Sequence, residues 1–183
     1  MLQALRSTFA RLFSYSALYV SLFVTFIYFL SAGRPMLADP DIWWHLRNAQ
    51  ILIHDHAWIR ADSYTFTVGG KPWINPEWLS ELAYYLAWHL FSYRGIELLA
   101  IAMVLAVVMG VCWLSWLRSK NIKAALLACV LFLPMVSVSI GPRTLMFGWL
   151  CLIALLALLW EFRQGKDWLW CAPILFVVWI NTH

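Results

Sequence analysis

Charge is scarce in this chain: only 12% of its 183 residues are Asp, Glu, Lys or Arg, about half the share found in ordinary soluble domains. The scarcity is uneven. Five stretches, residues 12–33, 98–117, 124–142, 144–160 and 168–183, contain no Asp, Glu, Lys or Arg at all. There is also no phosphate-cradling glycine loop, no G-x-G-x-x-G, no G-x-S-x-G and no zinc-type cysteine or histidine spacing, so nucleotide-driven and serine-hydrolase chemistries lose their usual carriers. The four cysteines, at 112, 129, 151 and 171, all fall inside apolar runs with no ligand-like spacing and read as packing residues.

What fills the space is apolar. Hydrophobic residues make up 63% of the chain and the mean hydropathy is +0.74. A helix needs about 20 apolar residues to cross the hydrocarbon layer. The first four runs therefore predict full spans and the fifth a partial one. The run at 12–33 is longer than a signal-peptide core and lacks a small-residue cleavage site, so it reads as a retained anchor. The expected fold is an all-α integral membrane protein with four full transmembrane helices, a partial fifth and a long outer loop over residues 34–95.

The net charge of +4 does not point to nucleic acid, because the bases sit in short linkers and form no soluble basic face. Arg6 and Arg11, then "RSKNIK" at 118–123, then Arg163 and Lys166 alternate onto one side. By the positive-inside rule that side is the cytoplasm. The N-terminus is thus expected inside, with the 34–95 loop on the outer, periplasmic face of the inner membrane. The loop carries Asp39, Asp41, Asp55, Asp62, Glu77 and Glu81. The membrane runs carry no ionisable residue at mid-depth apart from the last one, which weakens a transporter reading.

Within the loop, "DPD" at 39–41 predicts a helix start: Asp39 as cap, Pro40 in the first turn, Asp41 favourable to the dipole. That helix should run to about Ile53. "NPE" at 75–77 repeats the chemistry and opens a second helix toward Phe91, with Gly95 as its stop. Both are expected to lie in the interface, near 40–53 and 76–92, held by Trp43, Trp44, Trp58, Trp73 and Trp78 as an aromatic belt. Between them, the alternation of Tyr64, Phe66 and Val68 before Gly69-Gly70 predicts a short extended segment or hairpin.

Several residues carry candidate chemistry, each beside a plainer role. Asp39 and Asp41 form a carboxylate pair able to take a proton from a hydroxyl, and equally serve as helix caps. Asp41 and His45, four residues apart, share a helical face as a hydrogen-bonded pair or two metal ligands; an interfacial histidine is the plainer reading. Glu77 and Glu81 make a second acidic patch, or the polar face of an amphipathic helix. Arg143, just after Pro142, holds a phosphate or snorkels to the surface. His54-Asp55-His56 reads as a solvated loop.

The stretch "DPDIWWHLRNAQILIHDHAWIRADSYTFTVGGKPWINPEWLSELAYYL" resembles the first outer loop of bacterial multispanning proteins of the GT-C glycosyltransferase superfamily. The matching positions are Asp39, Asp41, Trp44 and His45, then Asp62, Phe66 and Thr67, then Glu77, Trp78, Leu79 and Glu81. "GPRTLMFGWL" is similar to that group's entry to its fourth span, with Pro142-Arg143 in reversed order. "VVWINTH" resembles its W-x-N-x-H segment through Trp179, Asn181 and His183.

The resemblance implies a transferase that moves a sugar from a polyprenyl-phosphate donor to an outer-face acceptor. It implies Asp41 as the catalytic carboxylate, supported by Asp39, with a divalent metal ion present in some members. On this reading His45, Asp62, Glu77 and Glu81 shape the acceptor site, and Arg143 or Lys71 meets the donor phosphate. Family members continue through further spans, so the chain is expected to be an N-terminal portion with little activity alone. The competing expectation is a non-catalytic membrane scaffold or partner subunit in which the acids are only caps.

Overall fold

The computed structural model describes residues 39–137 and 141–183. The expected first span, 12–33, lies outside the described residues. The order is α1 (Asp41–His54), α2 (Trp78–Ser119), α3 (Ile122–Ser137), α4 (Leu145–Arg163), a 3-10 turn (Leu169–Cys171) and α5 (Ala172–Ile180). No strand occurs among the described residues, where an isolated bridge joins Ala61 and Pro72.

Two of these helices, α2 and α4, are long and apolar enough to cross a membrane, with hydropathies of 2.6 and 2.2 over their best windows. Only 22% and 17% of those windows is buried inside the protein. A helix serving as the core of a water-soluble domain would be mostly covered, since apolar surface is kept from water. Helix α3, 16 residues long, and α5, of nine residues, are apolar but shorter than a span.

Helix α2 is 42 residues long, which at 1.5 Å per residue would stretch to about 63 Å if straight, twice the hydrocarbon thickness. It is not straight. Ser92 adopts φ 56°, ψ −141° in its middle, dividing a first arm, 78–91, from a second, 93–119. A side-chain carbon built at Gly95 would stand 1.9 Å from the Ala87 carbonyl oxygen. Residues eight apart in a straight helix are about 12 Å apart along the axis, so this approach records a sharp turn. Gly95 therefore corrects the expected helix stop. The chain breaks at Ser92, and Gly95 lets the second arm leave past the first.

The first arm is amphipathic in the inverted sense. Ser80, Glu81 and Tyr84 are buried, whereas Leu86, Leu90 and Phe91 are exposed. Contact with water selects the reverse arrangement, with the apolar side chains covered. The small core where α1 crosses α2 consists of Ile42, Leu46, Tyr84 and Ile96, with Tyr85, Trp88, Leu99 and Phe147 against it.

The expected hairpin at Tyr64 to Val68 is corrected. Those residues form bends, and the pairing lies outside them: Trp73 N donates to Arg60 O and Asp62 N to Lys71 O, both at 2.9 Å. The cause is Asp62, whose Oδ1 accepts from the backbone N–H groups of Tyr64 at 2.8 Å and Thr65 at 3.0 Å, turning the chain before a strand can extend. The loop tryptophans are also less a belt than a packing set. Trp44 meets Tyr64 and Trp73 at centroid distances of 6.4 and 5.7 Å, and Trp58 meets Trp78 edge-on at 5.6 Å.

Candidate functional site

Both predicted helix starts hold, the first one residue later than expected, at Asp41, and the second two later, at Trp78. Asp39 Oδ1 accepts from Asp41 N at 3.2 Å, and Asn75 Oδ1 accepts from Glu77 N at 3.1 Å. Each acceptor reaches over a proline, which has no N–H to offer, and binds the next free donor. These two capped starts and the N-terminal end of α4 supply the site.

Asp39 does two jobs. While one oxygen caps α1, Oδ2 accepts from Arg143 Nε at 2.5 Å. The Arg143 side chain is half exposed and that of Asp39 largely covered. Arg143 is carried by the turn before α4 and anchored through its carbonyl, which accepts from Tyr84 Oη at 3.1 Å. Asp41 stands at the first turn of α1 and is exposed. No side-chain partner for its carboxylate occurs among the described residues. The expected Asp41–His45 pair is therefore corrected: His45 turns the other way.

His45, 4% exposed, puts Nδ1 3.0 Å from Glu81 Oε1 and Nε2 3.8 Å from Glu77 Oε2. A carboxylate oxygen only accepts, which places the proton on Nδ1. Glu81, 1% exposed, also accepts from Asn48 Nδ2 at 2.8 Å on Oε1 and from Asn75 Nδ2 at 2.6 Å on Oε2. Asn48 Oδ1 in turn accepts from Tyr64 Oη at 2.6 Å. The network joins α1, the loop and the first arm of α2, and no buried side-chain polar atom among the described residues lacks a partner.

Glu77 stands between His45, on the side of its Oε2, and the end of α5. Its Oε1 accepts from Thr144 Oγ1 at 2.9 Å and from His183 Nδ1 at 2.8 Å. Beside it, Trp78 Nε1 donates to Asn181 Oδ1 at 2.6 Å, and Leu79 N to Asn181 O at 3.0 Å. Gly148 on α4 makes room for this junction: a methyl group there would lie 3.3 Å from Trp179 Nε1 and 3.5 Å from His183 Cδ2.

The structure thus brings together Asp39, Arg143 and the start of α1 on one side, and His45, Glu81, Glu77 and His183 on the other. Asp62 and Lys71 stay in the loop closed by the Ala61–Pro72 bridge. Asp62 accepts from Thr65 Oγ1 and from the two amides above. The Thr65 hydroxyl, then those amides, hold its carboxyl below the usual carboxylate range. Lys71 engages through its backbone, N to Val68 O at 3.1 Å and O from Asp62 N.

A divalent metal ion does not fit these residues. No group of three or more His, Cys, Asp or Glu arranged for an ion exists among the described residues, and both Glu81 oxygens are spent on His45, Asn48 and Asn75. Sequence reasoning missed Asn48, Tyr64 and Thr144. Asn48 carried a signal: with His45 it sits inside the buried stripe Ile42, Leu46, Ala49, where a polar side chain needs a partner. Tyr64 and Thr144 carried none. Comparison with protein-family models, curated proteins and solved structures finds no match for this chain.

Proposed function

We propose that this protein is a membrane glycosyltransferase of the GT-C type, moving a sugar from a polyprenyl-phosphate donor to an acceptor hydroxyl on the outer face. The observation that carries the reading is the Asp39–Arg143 pair beside an exposed Asp41 at the start of α1, whose carboxylate has no side-chain partner among the described residues. In this reading the chain has four full spans and a partial fifth, with a cytoplasmic N-terminus and the 34–95 loop on the periplasmic side. The inverted amphipathic arm of α2 supports placing that loop at the lipid surface.

Asp41 acts as base. The acceptor oxygen attacks the anomeric carbon, the bond from that carbon to the phosphate oxygen breaks, the proton passes to Asp41, and polyprenyl phosphate leaves with inversion. Arg143 meets the phosphate: Asp39 takes its Nε, and the two terminal amino groups remain to donate to an anion. Asp39 is then a positioning residue. Glu77, fixed by His183, sets the wall of the acceptor site, with His45 and Glu81 buried behind it as its support.

Reconstituting the full-length protein in liposomes with a polyprenyl-phosphate-linked sugar tests the reading. Asp41→Asn should lower transfer by a factor of about 100 or more, the scale of a lost general base. Transfer by the variant at the wild-type rate removes Asp41 from the mechanism. Asp39→Asn with retained transfer and a raised donor KM would fit a positioning role for that residue.

A further inference from the structure

At the opposite end of the helices from the carboxylates, a groove of about 780 Å³ opens between α2 and α4, with Phe132 of α3 on its rim. The two helices run in the same direction along it. Gly110 packs against Ile153 at the near end, where a methyl group would lie 2.9 Å from its Cδ1, and Arg118 packs against Trp160 further along, its guanidinium 5.4 Å from the ring centroid. The walls are apolar, with Val107, Val111, Leu152 and Leu156 among them, until the last turn. There Arg118 and Arg163 both line the groove.

These two cations are uncompensated. Among the described residues neither has a carboxylate within ion-pair distance, and the nearby Glu161 is taken by Lys166 at 2.5 Å. Trp160 and Arg163 are three residues apart on one helical face, so Arg118, stacked on Trp160, brings its charge to within a turn of Arg163. Helix α4 is 19 residues long, about 28 Å, close to the hydrocarbon thickness. Its last turn therefore falls at headgroup depth. Offsetting the negative ends of the two helix dipoles accounts for bases in these turns, but not for a chain-sized apolar trough leading up to both of them.

We infer that this groove binds an anionic phospholipid, an acyl chain lying along Val107 to Leu156 and the phosphate between Arg118 and Arg163. Basic pockets between membrane helices hold anionic headgroups in this way, and a guanidinium offers the paired donors a phosphate takes. The site is separate from the outer carboxylates and does not depend on the transferase reading.

Native mass spectrometry of the purified protein, after exchange into mixed micelles of phosphatidylglycerol and phosphatidylcholine, tests it. The wild type should retain one phosphatidylglycerol in at least tenfold preference to phosphatidylcholine. Arg118→Gln with Arg163→Gln should abolish that preference at unchanged helix content, and Arg118→Lys with Arg163→Lys should keep most of it. Equal retention of the two lipids by the wild type, or undiminished preference in the glutamine variant, overturns the site. So does disulfide trapping of a cysteine within residues 12–33 against Leu156→Cys in lipid, which would make that segment the occupant.

Discussion

Glu77 Oε1 and His183 Nδ1 meet at 2.8 Å although 106 positions separate the two residues. That contact ties the start of the amphipathic arm to the end of α5, and Thr144 Oγ1 joins it on the same oxygen. Three elements distant in sequence thereby share one carboxylate. Each can be loosened separately.

If the contact holds the end of α5, Glu77→Gln and His183→Asn will be coupled. A double-mutant cycle on unfolding should give an interaction energy of about 0.5–3 kcal/mol. Additive effects of the two changes would mean that the start of α2 and the end of α5 are held together without this pair, through the bonds of Trp78, Leu79 and Ser80 to Asn181 and Thr182.

Glu81 is the opposite case, a carboxylate buried under three donors. Glu81→Ala strands His45, Asn48 and Asn75 and should cost about 3–5 kcal/mol, the scale of breaking a buried charged network. Glu81→Gln keeps the shape but turns an amide N–H₂ toward other N–H₂ groups, and should fall between the alanine variant and wild type. Thermal unfolding in detergent measures the order; a neutral Glu81→Ala would contradict the network.

Ser92 stores backbone strain. A non-glycine residue at φ 56°, ψ −141° costs of the order of 1–3 kcal/mol. Ser92→Gly should therefore raise stability by about 1 kcal/mol, while Gly95→Ala, driven against the Ala87 carbonyl, should lower it. An unfolding midpoint that falls with Ser92→Gly would show that the kink is not strained.

Asp62 predicts a pH dependence. Its folded pKa lies below the ordinary value of 3.8, so its contribution is complete above 3.8 and is lost as pH falls through the lower folded value. Exchange protection of the Tyr64 and Thr65 amides should fall in that acid range. In Asp62→Asn, which cannot titrate, the protection should show no such step; a step of wild-type size there would assign the effect to another group.

Much of the helical order was legible. Both loop helices announce themselves through an Asx residue two positions before an acid across a proline, because only a local acceptor can satisfy the first free amide. The apolar run at 98–117 lies within α2, and the run at 144–160 lies within α4 from Leu145 onward. The hairpin misled because Tyr64-Thr65-Phe66-Thr67-Val68 alternates as a strand does, while the Asp62 side chain claims the amides that a strand would need. Gly95 misled for a related reason: glycine follows helices and also permits close backbone approach, and one residue type serves both.

Residue order by itself determined what is apolar, what is capped and where the acids stand in the chain, since each follows from groups a few bonds apart. It left open which acid would be buried, which exposed and which paired. Asp39, Asp41, Glu77 and Glu81 are alike as residue types. Asp39 meets Arg143, Asp41 has no side-chain partner among the described residues, Glu77 takes His183, and Glu81 is sealed under His45, Asn48 and Asn75. Tertiary structure decided those partners, because a carboxylate's environment is set by donors that only packing brings within 3 Å.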